Sequence, residues 1–156
     1  MARAGGGEES EALSRAAVAV FRLNRGFISA LDRIALPYGL SAARWQILST
    51  VAETPLSVSE AARRVGTTRQ SVQRIADQLV REGLAVYREN PAHRRAKLFI
   101  ATDKGVLARR ETDSSLAELT RQLSASLGGE HEMDRTVAVL RVLSQALPSI
   151  SGDDSP

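Results

Sequence analysis

The side chains best suited to contact nucleic acid are concentrated in the middle third of the chain. Residues 57–104 contain ten Lys or Arg and five Asp or Glu, a local charge of +5, whereas the net charge of all 156 residues is +3. The densest run is RENPAHRRAK, at residues 88–97. Guanidinium and ammonium groups bind phosphate oxygens, and arginine and glutamine also contact base edges. This distribution favours a polyanionic partner, with an ordinary solvated basic face as the alternative.

Two capping patterns in tandem predict the elements that position these side chains. In SVSE, Ser57 precedes Glu60 by three residues, and in TTRQ, Thr67 precedes Gln70 by the same interval. Both match the capping box, in which a hydroxyl caps the helix start and a Glu or Gln reaches back. Gly66 ends the first helix. Two short helices joined by a glycine-containing turn are typical of a helix-turn-helix.

The second of these helices is amphipathic and is predicted to run to about Arg81. Its apolar face consists of Val72, Ile75, Ala76 and Leu79, and its opposite face of Gln70, Arg74, Asp77 and Arg81. Arginine pairs with guanine, and glutamine with adenine, in the major groove of DNA. The exposed face therefore has the residue types of a recognition helix.

A β-hairpin is predicted directly after this helix. LAVYREN and RAKLFIAT alternate apolar and polar residues, and NPAHR between them is typical of a turn. The cation-rich run thus lies at the tip of a hairpin, which is the position of the wing in a winged helix.

Helices are predicted on both sides of this region. Apolar residues at heptad spacing predict a first helix from Glu11 to about Leu36, and Ser41 caps a second. Thr102 caps a helix that ends at the glycines of residues 128–129, and a last helix follows over about 130–147. The predicted fold class is therefore mainly α (α+β). The long first helix is hard to cover within one subunit, so we expect it to form part of a subunit interface.

Composition excludes several classes of function. Without cysteine the chain has no disulfide, thiolate metal site or thiol redox switch. His93 and His131 are the only histidines and show no ligand spacing, so we expect neither a metal nor a cofactor. No nucleophile–base grouping or phosphate-binding glycine motif is visible, so we expect no enzyme. Because no apolar run is long enough to span a bilayer and no secretory signal is present, we expect a cytoplasmic, nucleoid-associated protein.

In the order of its elements, the chain resembles the MarR family of bacterial transcription regulators. The resemblance covers residues 11–147 and rests on LSAARWQIL, on SVSEAARRVGTTRQSVQRIADQLVREGLA and on NPAHRRAKLFIATDKG. It implies an obligate homodimer with intertwined N- and C-terminal helices, and a winged helix-turn-helix on each subunit that binds a pseudo-palindromic operator in double-stranded DNA. One subunit then occupies residues 11–150, with dimerisation helices at 11–36 and 103–147, a winged helix-turn-helix at 41–102, and disordered tails at 1–10 and 151–156.

The resemblance also implies which residues contact DNA. It assigns base-edge contacts to Thr68, Gln70, Ser71 and Arg74, and phosphate contacts to Thr67, Arg69 and Gln73. On the wing, the residues expected to contact DNA are His93, Arg94, Arg95 and Lys97. Among them, the resemblance assigns the minor groove to Arg95, with Arg94 as its neighbour and Lys97 on the DNA backbone.

One wing position departs from the family pattern. Two residues before the wing arginine the family usually has an Asp, and this chain has His93. A neutral imidazole supplies no counter-charge to an arginine, so we expect a more positive wing.

A ligand cleft is a further implication of the resemblance. Tyr38, Arg44 and Trp45 lie where the family places a cleft between its dimerisation and DNA-binding lobes, in which several members bind small aromatic or carboxylate effectors. The alternative is that Trp45 belongs to the core and Arg44 forms a surface ion pair.

Together these features predict a homodimeric DNA-binding transcription regulator, expected to act as a repressor that a small ligand relieves. The alternative is a winged-helix module that binds another protein through the same surface, without specific DNA binding.

Overall fold

The helices and strands follow one another in the order expected of a winged helix. The computed structural model describes residues 5–93 and 95–151, and the side chains of residues 10–93 and 95–147. The elements are α1 (Gly5–Ala35), a 3-10 turn (Leu36–Tyr38), α2 (Ala42–Ala52), β1 (Leu56–Ser57), α3 (Val58–Val65), α4 (Arg69–Arg81), β2 (Ala85–Arg88), β3 (Leu98–Ala101), α5 (Asp103–Leu127) and α6 (Glu130–Ser151). The predicted mainly helical fold with a small antiparallel sheet is confirmed.

The first and last helices are longer than the sequence predicts. α1 begins at Gly5 rather than at Glu11, and α6 continues to Ser151. Residues 5–10, expected in a disordered tail, are therefore helical, since extending an existing helix costs far less than nucleating one. Residues 1–4 and 152–156 lie outside the described residues.

Side-chain caps begin α2 and α3 where the sequence predicts them. Ser41 Oγ accepts a hydrogen bond from the backbone N–H of Arg44 at 3.3 Å. Ser57 and Glu60 form the predicted capping box, in which Ser57 Oγ accepts from the Glu60 N–H at 3.2 Å and Glu60 Oε2 accepts from the Ser57 N–H at 2.7 Å. Gly66, with φ at 72°, ends α3.

The sheet has three antiparallel strands in the order β1, β3, β2. The predicted hairpin forms its β2–β3 pair, and the buried Phe99 of β3 lies between Tyr87 on one side and Leu56 on the other. β1 is not predicted, because two residues are too few to show alternation.

The hydrophobic core lies in the compact unit that ends at Ser114. Its large, fully buried side chains come from α2, α4 and the sheet: Ile47, Leu48, Val51, Val72, Leu79 and Phe99. The apolar face of α4 therefore packs into the core. In the second unit, which begins at Ser115, none of the side chains described through residue 147 is buried.

The start of α5 interlocks with the turn that follows α4. The hydroxyl and backbone N–H of Thr102 and the Nζ of Lys104 donate to the three consecutive carbonyls of residues 82–84, at 2.8 to 3.0 Å. A Cβ on Gly105 would overlap the carbonyl oxygen of Leu84. Glycine is thus required for the two segments to approach this closely.

Candidate nucleic-acid interface

The N-terminal half of α4 presents its polar side chains to solvent. Val72, Ala76 and Leu79 are buried in the core, which turns the opposite face outward. Of the residues predicted to contact DNA in this helix and before it, Thr67, Thr68, Arg69, Gln70 and Arg74 are exposed, and Ser71 and Gln73 are half-buried.

The cap of α4 is Thr68, one residue later than predicted. Thr68 Oγ1 accepts from the backbone N–H of Ser71 at 3.2 Å and donates to Ser71 Oγ at 2.9 Å. The prediction that Thr67 caps the helix is wrong, because the Thr67 N–H donates to the carbonyl of Ala62 at 3.1 Å. With the left-handed Gly66, this bond completes the C-terminal capping motif of α3.

Two concave surfaces flank α4. The first, here called the helix groove, has a volume of about 600 Å³ and is lined by Arg69, Gln70, Gln73, Arg74 and Asp77. The second, here called the wing pocket, has a volume of about 350 Å³ and is lined by Ser57, Val58, Ser59, Arg69, Gln73, Tyr87, Arg95, Ala96 and Lys97. Three cationic side chains therefore converge on the wing pocket, which suits a phosphate group.

The tip of the hairpin is held by hydrogen bonds within its own turn. The His93 N–H donates to the Asn90 carbonyl at 3.2 Å, and the Ala96 N–H donates to the His93 carbonyl at 3.0 Å. Asn90 Oδ1 accepts from the Ala92 N–H at 3.0 Å. The side chains of His93, Arg95 and Lys97 are exposed, and Arg94 lies outside the described residues.

Gln73, Asp77 and Tyr87 form a closed hydrogen-bonded triangle beside these surfaces. Gln73 Nε2 donates to Asp77 Oδ1 at 2.9 Å and to the Tyr87 hydroxyl at 2.8 Å, and that hydroxyl donates to Asp77 Oδ1 at 2.8 Å. Burial raises the pKa of Tyr87 to about 12, and its hydrogen bond to Asp77 and the charge of Asp77 act in the same direction. The phenol therefore stays protonated at neutral pH.

Glu60 supplies a negative charge close to the wing. The hydrogen bonds from the Ser57 side chain and backbone hold the pKa of Glu60 below its usual value, and the charges of Arg63 and His93 lower that pKa further. His93, expected to leave the wing without an acidic partner, therefore lies near enough to a carboxylate of α3 to interact with it.

The predicted cleft residues Arg44 and Trp45 have partners on different elements. Trp45 Nε1 donates to Asp113 Oδ1 at 2.8 Å, and Arg109 pairs with Asp113 Oδ2 at 2.9 Å. Arg44 pairs with Glu82, just past the end of α4. Among the side chains that the structure describes, Arg44 Nε and Arg109 Nε are buried without a hydrogen-bond partner.

The remaining cleft residue, Tyr38, is half-buried in the 3-10 turn. The arrangement of the other two matches the alternative considered from the sequence, since Trp45 packs against the core and Arg44 forms an ion pair.

Sequence reasoning missed several residues around these sites. The pairing of Gln73 with Asp77 was within reach, since residues four apart share a helix face. The participation of Tyr87 depends on the packing of β2 against α4, and that of Arg109 and Asp113 depends on the packing of α5 against α2. No local signal marks either contact.

Residues 5–93 and 95–151 lack two kinds of feature. No helix in these ranges is both long and apolar enough to cross a membrane. The described residues also contain no group of three or more His, Cys, Asp or Glu arranged to hold a metal ion.

Comparison with known proteins gives a consistent set of relatives. The model of the MarR family matches residues 38–96. The uncharacterized protein Rv2011c of Mycobacterium tuberculosis is 43% identical over 96 residues, which cover 62% of this chain and 67% of that protein.

Solved structures of the same kind cover more of the chain. Sco5413, a MarR family transcriptional regulator from Streptomyces coelicolor, is 28% identical with a TM-score of 0.72, and the match covers 92% of this chain and 98% of that one. The transcriptional regulator MosR of M. tuberculosis, solved in complex with DNA, is 26% identical with a TM-score of 0.70, and the match covers 85% of this chain and 97% of that one.

Proposed function

Because the chain belongs to the MarR family of transcription regulators, we propose that it binds a pseudo-palindromic operator in double-stranded DNA as a homodimer and represses by occluding a promoter. Members of this family regulate transcription and are not enzymes. The complex of MosR with DNA supports DNA as the partner of this chain as well.

The observation that carries the proposal is the convergence of exposed cations on both sides of α4. Arg69 and Arg74 line the helix groove, and Arg95 and Lys97 line the wing pocket. In the proposed complex, α4 enters the major groove, where Arg74 reads base edges together with Thr68, Gln70 and Ser71. Thr67, Arg69 and Lys97 bind phosphates. The hairpin tip, with Arg95, enters the minor groove, which is too narrow for a helix.

Exposed apolar side chains support a homodimer. On α1, Leu13 is 68% exposed and Phe21 is 70% exposed. On α6, Val139 is 59% exposed and Val142 is 64% exposed. Exposed large apolar side chains on a helix are typical of an interaction site, and helices of a second copy would cover them.

Two unsatisfied guanidinium nitrogens support an effector site. Arg44 Nε and Arg109 Nε, both buried, lack hydrogen-bond acceptors among the described residues. A small aromatic carboxylate placed against Trp45 would supply acceptors to them, and Tyr38 completes the proposed cleft. An effector bound there would compete with Glu82 for Arg44 and so act on the end of the recognition helix.

Salt dependence tests DNA binding directly. The logarithm of the affinity for a duplex should fall steeply and linearly with the logarithm of salt concentration, because each phosphate contact releases a counterion. The affinity at each salt concentration can be measured by fluorescence anisotropy, with a labelled duplex selected from a random pool. A flat response, or no duplex binding at low salt, would leave the protein-binding alternative.

A matched pair of variants localises the contact. Arg95→Ala should weaken binding of the selected duplex by about 1–3 kcal/mol. Arg110→Ala removes the same charge from an exposed position on α5 and should have little effect. Equal losses in the two variants would refute the assignment of Arg95 to the groove.

A further inference from the structure

The side-chain amide of Gln73 has one group left with which to bind a ligand. Its Nε2 has two hydrogens, and two acceptors lie within hydrogen-bond distance, Asp77 Oδ1 at 2.9 Å and the Tyr87 hydroxyl at 2.8 Å. Oε1 accepts no hydrogen bond from any described residue. The amide nitrogen is thus directed at these two acceptors, and the carbonyl oxygen is left without a donor among the described residues.

The chemistry of the two partners dictates this orientation of the amide. A reversed amide would place Oε1 against the Asp77 carboxylate oxygen, where two acceptors repel each other. The Tyr87 hydroxyl gives its own hydrogen to Asp77 at 2.8 Å, so it offers only a lone pair to Gln73. Both neighbours therefore require a donor from Gln73.

Gln73 lies where a bound duplex would meet it. Its side chain is half-buried and lines both the helix groove, with Arg69 and Arg74, and the wing pocket, with Tyr87. Gln73 therefore belongs to the surface that the proposed function assigns to DNA.

If both Nε2 hydrogens stay in these two bonds when DNA is present, Gln73 can only accept hydrogen bonds from a ligand, which restricts what it recognises. A phosphate oxygen is itself an acceptor, so the phosphate contact that the family resemblance implies for Gln73 does not match this geometry. The two-bond pairing of glutamine with adenine also needs an N–H donor. What remains are the amino groups at the major-groove edges of adenine and cytosine.

We propose that Gln73 reads DNA as an acceptor only, through Oε1, and that Asp77 and Tyr87 are the positioning residues that hold it in this state. The proposal rests on the proposed function as a DNA-binding regulator. It predicts one position in each half-site at which adenine and cytosine are both accepted on one strand, while guanine and thymine are rejected there. The preference should be about 5-fold or more, the low end of a specific base contact.

Selection of bound sites from random duplexes tests the proposal. Wild type should give a motif with one such adenine-or-cytosine position per half-site. In Gln73→Ala this position alone should become random. In Asp77→Ala the amide is free to turn, so guanine and thymine should be accepted at the same position.

Asp77→Asn is the matched control, because it removes the same negative charge as Asp77→Ala and keeps an oxygen that can accept from Gln73 and Tyr87. It should retain the wild-type preference at the Gln73 position, even where loss of the charge strengthens binding to every sequence. In nuclear magnetic resonance spectra of the free protein, the two Nε2 hydrogens of Gln73 should exchange slowly with water in wild type and Asp77→Asn, and quickly in Asp77→Ala.

Three outcomes would overturn the inference. An unchanged motif in Gln73→Ala would show that Gln73 reads no base. A Gln73-dependent position that accepts adenine alone, or guanine or thymine, would show that the amide also donates. Recovery of no motif by wild type would overturn the proposed function itself, whereas the first two outcomes leave it standing.

Discussion

At the scale of the residue, Tyr87 connects two environments that the sequence keeps apart. Its ring packs against Phe99 in the sheet, with ring centroids 5.7 Å apart and a tilt of 47°. Its hydroxyl reaches Asp77 and Gln73 on α4. One side chain of β2 therefore links the hairpin to the recognition helix, through apolar contact at one end and hydrogen bonds at the other.

The raised pKa of Tyr87 predicts a delayed ionisation. The pKa of Tyr87 is about 10 in the unfolded chain and about 12 in the folded protein. The protonated phenol therefore stabilises the fold fully below about pH 10, and this contribution is lost as pH rises through about 12. Between about pH 8 and 11, folded wild type and Tyr87→Phe should therefore gain nearly the same tyrosinate absorbance. If wild type gained the absorbance of one full extra tyrosinate by about pH 11, while circular dichroism still showed a folded chain, the prediction would be wrong.

At the scale of the element, the position of α4 is set from its C-terminal end by α5. The carbonyls of residues 82–84 lie just past α4 and would otherwise need water or a cap. Thr102 and Lys104 satisfy all three of them, and Gly105 lets the two backbones touch. The direction in which α4 points thus depends on where α5 begins.

The required glycine gives a stability prediction. Gly105→Ala should lower the free energy of unfolding by about 1–3 kcal/mol, because the added methyl overlaps the Leu84 carbonyl. Gly26→Ala is the control, since nothing lies within 4 Å of its added Cβ on α1, and it should be neutral or stabilising by up to about 1 kcal/mol. Urea unfolding, carried out at one protein concentration, measures the free energy of unfolding of both variants. Equal stability of the two variants would mean that the backbones separate without cost.

Local signals in the sequence were sufficient for most of the fold. Ser41, Ser57, Gly66 and Thr102 begin or end helices where their capping chemistry predicts, and alternation located both strands of the hairpin. The cap of α4 was misplaced by one residue, because two threonines follow Gly66 and only the bond to α3 distinguishes them.

Contacts between distant residues were beyond the reach of these signals. β1 is recognisable only by its pairing with β3, some forty residues away. Leu56 is a strand residue because Phe99 lies opposite it. The sequence predicted which polar face α4 exposes and that the cations of the wing lie at a hairpin tip. The hydrogen-bonding state of Gln73 was not predicted, because Tyr87 reaches it from another element.

At the scale of the whole molecule, the core is unevenly distributed. The unit that ends at Ser114 has a dense core, whereas no described side chain from residue 115 to 147 is buried. Helices that bury so little apolar surface are rarely stable alone. In the proposed homodimer a second copy would cover these helices, and folding and dimerisation would then be coupled.

A charge on the exposed face of α1 tests the proposed homodimer. Phe21→Lys should raise the dimer dissociation constant by on the order of 100-fold, because it removes a large apolar side chain and introduces an unpaired charge. Gln46→Lys adds the same charge at an exposed polar position of α2 and should leave the dimer intact. Sedimentation equilibrium measures the dissociation constant of both variants. An unchanged dissociation constant in Phe21→Lys would place that residue outside the interface.

The hydrogen bond between Trp45 and Asp113 makes the protein its own optical reporter. Trp45 is the single tryptophan of the chain, so all of its tryptophan emission originates at the junction of α2 and α5. The wavelength and intensity of that emission respond to the polarity and hydrogen bonding of the indole. Any event that breaks the hydrogen bond between the indole and Asp113, including binding of the proposed aromatic carboxylate, can therefore be followed in unlabelled protein. It would change the wavelength and intensity of the tryptophan emission.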